Sequence, residues 1–226
     1  AALRYREMGI SVIPCRPDKK PFIQWTGFQK RLPTPEEIKA WWQKWPSAMV
    51  AIVTGELSGL CAVDCDTPAG YEAVQKLLPD SFLTPIARTP RGGWHLYFIF
   101  PKGCKLTIGA GVMPGVDFRG EGGYVIAPPS VNGTGGAYSW ADGLSLGEVR
   151  PGAMVSALLR ALTYKNKNDS SIYRERSHSC SHPGFFFTEG RRDSDMYHLA
   201  HCLLKGGCEI PFAEYVLEIQ ANNAKP

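Results

Sequence analysis

Two carboxylates stand two residues apart at the end of an apolar segment. The run LCAVDCD places Asp64 and Asp66 after hydrophobic residues that are typical of a buried strand. Side chains at i and i+2 of a strand share a face, so these carboxylates are predicted to project together. Because like charges that close are unfavourable alone, the pair indicates a hard divalent metal as its partner. The alternative is that both acids begin the following turn and that Asp66 caps the helix after Pro68.

A glycine-rich turn and a histidine follow the acidic pair. In TPRGGWHLYF, Arg91, Gly92 and Gly93 precede His95, which stands in an apolar, strand-like run. Backbone amides of such a turn can approach phosphate oxygens, and arginine and histidine supply cationic donors. The segment therefore predicts a phosphate-binding turn. Taken alone, His95 is more simply a structural histidine, and Arg91 a solvated loop residue.

A third acid, Asp117, lies in GVDFRGEGGYVIAPPS, where Arg119 and several glycines follow it. Sites with two metal ions about 3.5–4 Å apart need several carboxylates and serve phosphoryl transfer. Asp117 is therefore predicted to complete a metal site begun by Asp64 and Asp66. The alternative is a β-hairpin with an exposed Asp117–Arg119 pair, which contributes about 0–1 kcal/mol.

In this order, the three segments resemble the bifunctional primase-polymerase domain of the archaeo-eukaryotic primase superfamily. Asp64 and Asp66 match its first metal motif, Gly93-Trp94-His95 its small-x-His nucleotide motif, and Val116-Asp117 its hydrophobic-acid motif. The family's N-terminal Lys-Pro-x-x-x-Trp loop is present too, and the resemblance covers about residues 2–163. The sequence departs from the family at Gly93, where many members carry a serine whose hydroxyl is one more donor for phosphate.

The resemblance implies both a fold and an activity. The implied fold is α+β, with a two-part core in which an αβ unit packs against an RRM-like sheet and the site lies between them. The implied activity is template-directed nucleotidyl transfer, as a DNA primase and DNA polymerase. A metal-dependent nuclease and a non-catalytic replication-initiation module that binds DNA are the alternatives. The glycine-rich segment at His95 favours triphosphate binding over hydrolysis, and the three acids count against a non-catalytic module.

The same resemblance implies specific partners and site residues. The partners are nucleoside triphosphates, a single-stranded DNA template and primer, and a helicase domain or partner in the full-length protein. Two Mg²⁺ or Mn²⁺ ions are the implied cofactors. The implied metal ligands are Asp64, Asp66 and Asp117, and the implied nucleotide contacts are His95, Arg91, Gly92, Gly93, Arg119 and Lys20, with Lys19 as the alternative to Lys20.

Patterning along the chain predicts the elements that must position these residues. Trp41, Trp42 and Trp45 share one predicted helix, and their spacing favours packing against the domain over stacking on bases. MVAIVTG and LCAVDCD are predicted to form adjacent strands. The predicted helices are 2–8, 34–46, 68–78 and 150–163, and further strands are predicted in ISVIP, PIARTP, WHLYFIF and GYVIAPPS.

A change in composition divides the chain into three predicted parts. Residues 1–163 form the catalytic domain, 164–184 a polar linker, and 185–226 a helical module that resembles the one following such domains and is expected to be cut short. In the linker, HSCSHP places His178, Cys180 and His182 at alternate positions, which raises zinc as an alternative. The spacing matches no standard zinc finger, so a polar linker is favoured.

Length, charge and composition limit the class of protein to which the chain can belong. The chain has 226 residues and a net charge of +4, which suits a polyanionic partner without requiring one. No apolar run approaches the roughly 20 residues that a membrane-spanning helix needs. Seven cysteines, of which Cys15, Cys61 and Cys65 lie in apolar surroundings, indicate reduced thiols. These features predict a cytoplasmic protein without a membrane partner, and the resemblance suggests a plasmid or phage origin in prokaryotes.

Overall fold

The structure is a computed structural model that describes residues 1–101, 103 and 106–164. In these residues the protein is α+β, as predicted, with mainly antiparallel sheets and few helices. The predicted linker, the helical module and the HSCSHP segment lie outside the described residues, apart from Tyr164, which ends the last described helix.

The helices are short and the strands are grouped in two sheets. The helices are α1 (Ala2–Glu7), α2 (Pro35–Lys44), α3 (Pro68–Gln75) and α4 (Ser156–Tyr164). The strands are β1 (Val12–Cys15), β2 (Met49–Val53), β3 (Leu60–Cys65), β4 (Ile86–Arg88), β5 (Trp94–Ile99), β6 (Gly109–Met113), β7 (Val116–Arg119), β8 (Tyr124–Ile126), β9 (Ser139–Trp140) and β10 (Gly152–Ala153).

The two sheets share a hydrophobic core. The smaller sheet has the order β1-β2-β8, and the larger has the order β6-β7-β3-β5-β4-β9, with β10 added parallel to β5. One core cluster joins Val12 and Ile52 of the smaller sheet to Ala62 and Tyr97 of the larger. A second cluster covers the opposite face of the larger sheet, where Val63 of β3 packs with residues of α3 and α4. Strand β3 is therefore buried on both faces, which explains its nearly continuous apolar sequence.

The prediction that MVAIVTG and LCAVDCD form adjacent strands is wrong. Strand β2 lies between β1 and β8 in the smaller sheet, whereas β3 lies between β5 and β7 in the larger. Only an isolated bridge between Gly55 and Leu60 links the connection to the start of β3. Both edges of each strand are already paired, so the short connection carries the chain from one sheet to the other.

The sequence patterns missed two strands that form a hairpin. Strands β6 and β7 pair antiparallel, with an irregular register between Gly109 and Met113. Glycine has low strand propensity, and the burial of β6 does not alternate, so period-2 patterning gave no signal there. Helix α3 ends at Gln75, three residues before the predicted end, and α4 begins at Ser156 after the short strand β10.

Two predictions about side chains, for the cysteines and the tryptophans, are confirmed in the described part of the chain. Cys15, Cys61 and Cys65 are buried and free. The tryptophans of the α2 region pack: Trp41 lies edge-on to Phe28, the Trp42 indole donates to the Ala48 carbonyl, and Trp45 stacks on Phe22. No helix among the described residues is long and apolar enough to cross a membrane.

Helix α2 begins at the residues that the sequence predicted. The Thr34 hydroxyl accepts a hydrogen bond from the Glu37 amide at 3.2 Å, and the Glu37 carboxylate accepts one from the Thr34 amide at 2.8 Å. Pro35 occupies the first helical turn, where its missing N–H is not needed. Arg31 adds two contacts of 2.7 Å to the Glu37 carboxylate.

Replacing the capping threonine should destabilise the protein. Thr34→Ala leaves the Glu37 amide without its acceptor, and we expect the free energy of unfolding to fall by about 1 kcal/mol in urea denaturation. Ser47→Ala is the matched control, because Ser47 is an exposed hydroxyl residue beyond the other end of the helix with no hydrogen bond among the described residues. Equal stability of the two variants would contradict the capping role.

Glu37 should make stability depend on pH in acid. Its hydrogen bond from Arg31 is the main cause that lowers the pKa of Glu37 from 4.5 to about 2. A lowered folded-state pKa means that the contribution is complete above the unfolded-state value and is lost as pH falls toward 2. We therefore expect the stability difference between wild type and Glu37→Gln to be constant above about pH 5 and to narrow below about pH 4.5. A difference that stays constant down to pH 3 would refute this role.

Candidate active site

Three of the predicted site residues form a row across the larger sheet. Strand β3 runs antiparallel to both of its neighbours, and Asp64 lies directly opposite His95 of β5 on one side and Asp117 of β7 on the other. Residues that face each other across an antiparallel pair project to the same side of the sheet. The register therefore brings His95 and Asp117, which follow Asp64 by 31 and 53 residues in the chain, to either side of Asp64.

The row begins where the core between the sheets ends. Val63 and Cys65 point to the opposite face and are fully buried, so they fix the side from which Asp64 projects. Two residues back on the same face, Ala62 is fully buried in the core that joins the sheets. Asp64 thus lies at the border of an apolar interior, with 16% of its side chain exposed.

Arg119 balances the charge of the two carboxylates. Its guanidinium lies 2.9 Å from Asp117 Oδ2 and 3.7 Å from Asp64 Oδ2. Arg119 pairs in register with Ala62, whose small side chain leaves space beside Asp64. The other oxygen of Asp117 accepts a hydrogen bond of 2.7 Å from the Gly111 amide. The Asp117–Arg119 pair on a hairpin, considered as an alternative for these residues, does exist, but it is half-buried and faces Asp64.

His95 is held by Asp64 and is nearly buried. Its Nε2 lies 3.3 Å from Asp64 Oδ1, and only 5% of the residue is exposed. Its other ring nitrogen, Nδ1, is buried and has no hydrogen-bond partner among the described residues. A buried polar atom without a partner costs roughly 1–3 kcal/mol, so this nitrogen is a place where a ligand group would find a favourable contact.

The surroundings shift the pKa values of Asp64 and Asp66 in opposite directions. Burial is the largest single influence on the pKa of Asp64 and raises it, but the hydrogen bond from His95 and the charges of Arg119 and Lys19 outweigh burial. The net pKa of Asp64 therefore lies below its usual value. The pKa of Asp66 is raised, first by burial and then by repulsion from Asp64 and Asp117. Negative charge is thus in excess around Asp66.

Asp66 lies just beyond β3 and is exposed. The alternative that it caps the helix after Pro68 is wrong, because Thr67 is the capping residue and its hydroxyl accepts a hydrogen bond of 3.1 Å from the Gly70 amide. The backbone amide of Asp66 is fixed by the Gly115 carbonyl at 2.9 Å. Its carboxylate forms no ion pair within the described part of the chain, and it remains available to a cation.

The donor set fits a hard divalent cation in chemistry and charge. Carboxylate oxygens are the ligands that Mg²⁺ and Mn²⁺ prefer. Burial first and then repulsion from Asp64 and Asp117 raise the pKa of Asp66, and a cation would relieve the repulsion. Among the described residues, however, no three histidine, cysteine or acidic side chains converge closely enough to hold one ion. Arg119 occupies the position of the countercharge, so a metal would have to displace its guanidinium from the carboxylates.

The row opens into a cleft between the two sheets. The cleft has a volume of about 270 Å³ and is lined from both sheets and the connecting loops. Asp64 and His95 lie on one wall, whereas Asp66 and Asp117 are not among the lining residues. The charged and aromatic side chains that complete the lining are Lys19, Arg119, Trp25, Tyr124 and Tyr138.

Other predicted contacts lie outside this lining. Arg91 is exposed in the turn before β5, where Gly92 adopts a positive φ of 83°. Lys20 is exposed and does not line the cleft, but its neighbour Lys19 does. Sequence reasoning missed Trp25 and Tyr138 as cleft residues. The Lys-Pro-x-x-x-Trp loop was a usable signal for Trp25, whereas nothing in the local sequence distinguishes Tyr138.

The structure explains why residue 93 is a glycine. A Cβ at Gly93 would lie 2.5 Å from the Cys65 carbonyl oxygen and 3.4 Å from the Asp66 Cα. The glycine-rich turn therefore packs directly on the backbone at the end of β3. This close approach ties the position of Asp66 to that of the turn.

A side chain at Gly93 should force the two segments apart. We expect Gly93→Ala to lower the free energy of unfolding by about 1–3 kcal/mol, because the clash is with backbone that cannot rotate away. Gly27→Ala is the matched control, because a Cβ there meets nothing within 4 Å and Gly27 has no positive φ. Urea denaturation of both variants provides the measurement, and equal stability would show that the contact is not tight.

Comparison with known proteins places the chain among related sequences. The family described as bifunctional DNA primase/polymerase, N-terminal (Prim-Pol), matches residues 2–153, which include every predicted site residue. The search of curated proteins found no match.

Proposed function

Because this chain belongs to the bifunctional DNA primase/polymerase family, we propose that it joins nucleoside triphosphates on a single-stranded DNA template. The activity would include both starting and extending primers. We also assign the smaller sheet with α1 and α2 to the αβ unit of the family core, and the larger sheet to the RRM-like half. The contacts of α1 and α2 with β1 support this division.

The observation that carries the proposal is the row formed by His95, Asp64 and Asp117, of which His95 and Asp64 line a cleft together with the cations Lys19 and Arg119. Nucleotidyl transfer needs negative ligands for metal ions beside positive groups for a triphosphate. Asp64 and Asp117 provide the negative ligands, and Arg119 between them provides positive charge in the same small volume. His95 contacts Asp64 from the other side. A purely structural row would have no reason to face an open cleft.

We propose that Asp64, Asp66 and Asp117 hold two Mg²⁺ or Mn²⁺ ions. When bound, such ions lower the pKa of the attacking 3′-hydroxyl and neutralise charge on the triphosphate and the leaving pyrophosphate. Asp66 is suited to this role because it is exposed and lacks an ion pair among the described residues. Asp64 is suited because the lowered pKa keeps it ionised at neutral pH.

The other residues of the cleft have distinct parts in the proposal. His95 orients Asp64 through Nε2 and offers Nδ1 to a ligand. Arg119 neutralises the carboxylates in the absence of a metal and turns to the phosphate oxygens when a cation takes its place, because its planar fork suits phosphate. Arg91 and Lys20 are exposed outside the cleft lining, so they would meet triphosphate or DNA only from outside the cleft. The amides of Gly92 and Gly93 would support the phosphate from the turn.

One assay separates the proposed activity from its alternatives. The full chain is incubated with single-stranded template, labelled nucleoside triphosphates and Mg²⁺ or Mn²⁺, with and without an annealed primer. New oligonucleotides without primer indicate priming, and lengthened primer indicates polymerase activity. Shortened template indicates a nuclease, and a mobility shift without any product indicates a DNA-binding module. Either of the last two outcomes would overturn the proposal.

Neutralising the central carboxylate should abolish synthesis without unfolding the protein. We expect Asp64→Asn to reduce primer extension at least about 100-fold, because the amide keeps the shape but loses the charge. The thermal unfolding midpoint should change little, since Arg119 keeps its contact with Asp117. Asp80→Asn is the matched control, because Asp80 is exposed after α3 with no hydrogen bond or ion pair among the described residues. A fully active Asp64→Asn variant would remove Asp64 from the site.

A further inference from the structure

Lys19 has an unusual backbone conformation. Its φ is 70°, and it is the only non-glycine residue with a positive φ in the described part of the chain. This left-handed region brings the Cβ close to the following carbonyl, so it favours glycine and tolerates asparagine. A lysine here costs free energy that a glycine would not, and such outliers point to a function for the side chain.

Hydrogen bonds hold Lys19 in this conformation. The Lys19 amide donates to the Arg16 carbonyl at 2.8 Å, and the Arg16 amide donates to the Lys20 carbonyl at 2.8 Å. The Lys20 amide donates to Asp18 Oδ1 at 3.1 Å, which closes the turn from within. The Tyr124 hydroxyl donates to the Lys19 carbonyl at 3.2 Å, so the turn is tied to β8. The backbone therefore fixes the direction in which the Lys19 side chain leaves the turn.

That direction leads into the cleft. Lys19 lines the cleft together with Asp64, His95 and Arg119, whereas its neighbour Lys20 does not. The hydrogen bond from His95 is the main cause that lowers the pKa of Asp64, and the charge of Lys19, which lines the same cleft, adds a smaller contribution. Lys19 nevertheless forms no ion pair or side-chain hydrogen bond within the described residues. Lys19 is thus a positioned cation that lacks a direct partner.

The cleft shows which ligand such a cation fits. Lys19 comes from the loop after β1, and Arg119 comes from the larger sheet, so two cations enter the cleft from different parts of the fold. A compact ligand with several negative charges would contact both, and the aromatic rings of Trp25 and Tyr124, which meet edge to face at 5.0 Å, line the same space. A nucleoside triphosphate has this combination of polyanion and aromatic ring, whereas an isolated phosphate of DNA has a single charge.

We propose that Lys19 binds the phosphate groups of the nucleoside triphosphate in this cleft, and that the strained turn aims its ammonium there. The assignment rests on the proposed function, because it takes the triphosphate as the occupant of the cleft. It gives the contact to Lys19 in preference to Lys20.

Equilibrium binding of a labelled nucleoside triphosphate to the full chain, with Mg²⁺ and without DNA, tests the proposal. We expect Lys19→Ala and Lys19→Gly to weaken binding about tenfold or more, since a hydrogen bond to a charged group is lost. Lys19→Arg should retain most of the affinity, because it keeps the charge. Lys30→Ala is the matched control and should bind like wild type, because Lys30 is exposed, does not line the cleft and has no side-chain contact among the described residues. Lys20→Ala tests the choice between the two lysines and should weaken binding less than Lys19→Ala does.

Thermal unfolding distinguishes the effect of losing the Lys19 side chain from the effect of strain in its backbone. Glycine relieves the positive φ and alanine does not, so Lys19→Gly should unfold at a higher temperature than Lys19→Ala while binding nucleotide equally weakly. If Lys19→Gly instead binds like wild type and only Lys19→Ala is impaired, the effect comes from the backbone and the proposal is wrong.

Two further outcomes would also decide against Lys19 as a triphosphate ligand. Wild-type triphosphate affinity in the Lys19→Ala variant, with weakened binding of single-stranded DNA, would assign the ammonium to DNA phosphates. Unchanged affinity for both ligands, in a protein whose wild type extends primers, would refute the Lys19 assignment and leave the proposed function standing. If wild type neither binds triphosphate nor makes product, the proposed function itself fails.

Discussion

The register of β3 between β5 and β7 is the constraint on which the candidate site depends. It places Asp64 opposite both His95 and Asp117, and a slip of one residue would turn Asp64 into the apolar interior and bring Val63 or Cys65 into the cleft. The apolar faces of β3 prevent that slip, because they pack on both sides of the sheet. The energy that orders the site therefore comes from hydrophobic burial and not from the polar groups themselves.

The site also requires that the negative charge of its carboxylates be balanced, and cations from two parts of the fold provide this balance. Arg119 shares the face of Asp117 and reaches both carboxylates, and Lys19 enters from the loop after β1. Asp66 remains outside this balance and keeps a raised pKa. In the proposed function, the guanidinium of Arg119 is the countercharge that a metal ion would replace. Binding and release of charged ligands would then need only side-chain motion within a rigid sheet.

Sequence reasoning located the acids and the histidine but misjudged part of their scaffold. The order of Asp64, His95 and Asp117 along the chain was sufficient to indicate the family, and the helix predicted over 34–46 does begin there, at Pro35 with Thr34 as its N-cap. The pairing of β2 with β3 was wrong because short connections favour neighbours in one sheet, whereas here the chain crosses between two sheets. A hairpin that carries Asp117 and Arg119 was only an alternative reading, and the bounds of β6 and β7 were not predicted, because glycines and irregular burial hide the alternation on which strand prediction relies.

The sequence by itself determined the local chemistry: which residues carry charge, where helices begin, and which strand is buried enough to hold Asp64 and Asp66. Those properties depend on side-chain type and on neighbours within a few positions. Only the tertiary structure decided that Asp64, His95 and Asp117 share one row, that Lys19 and not Lys20 lines the cleft, and that Gly93 must lack a side chain. Those outcomes depend on register and on close approach between segments distant in the chain, which no local pattern encodes.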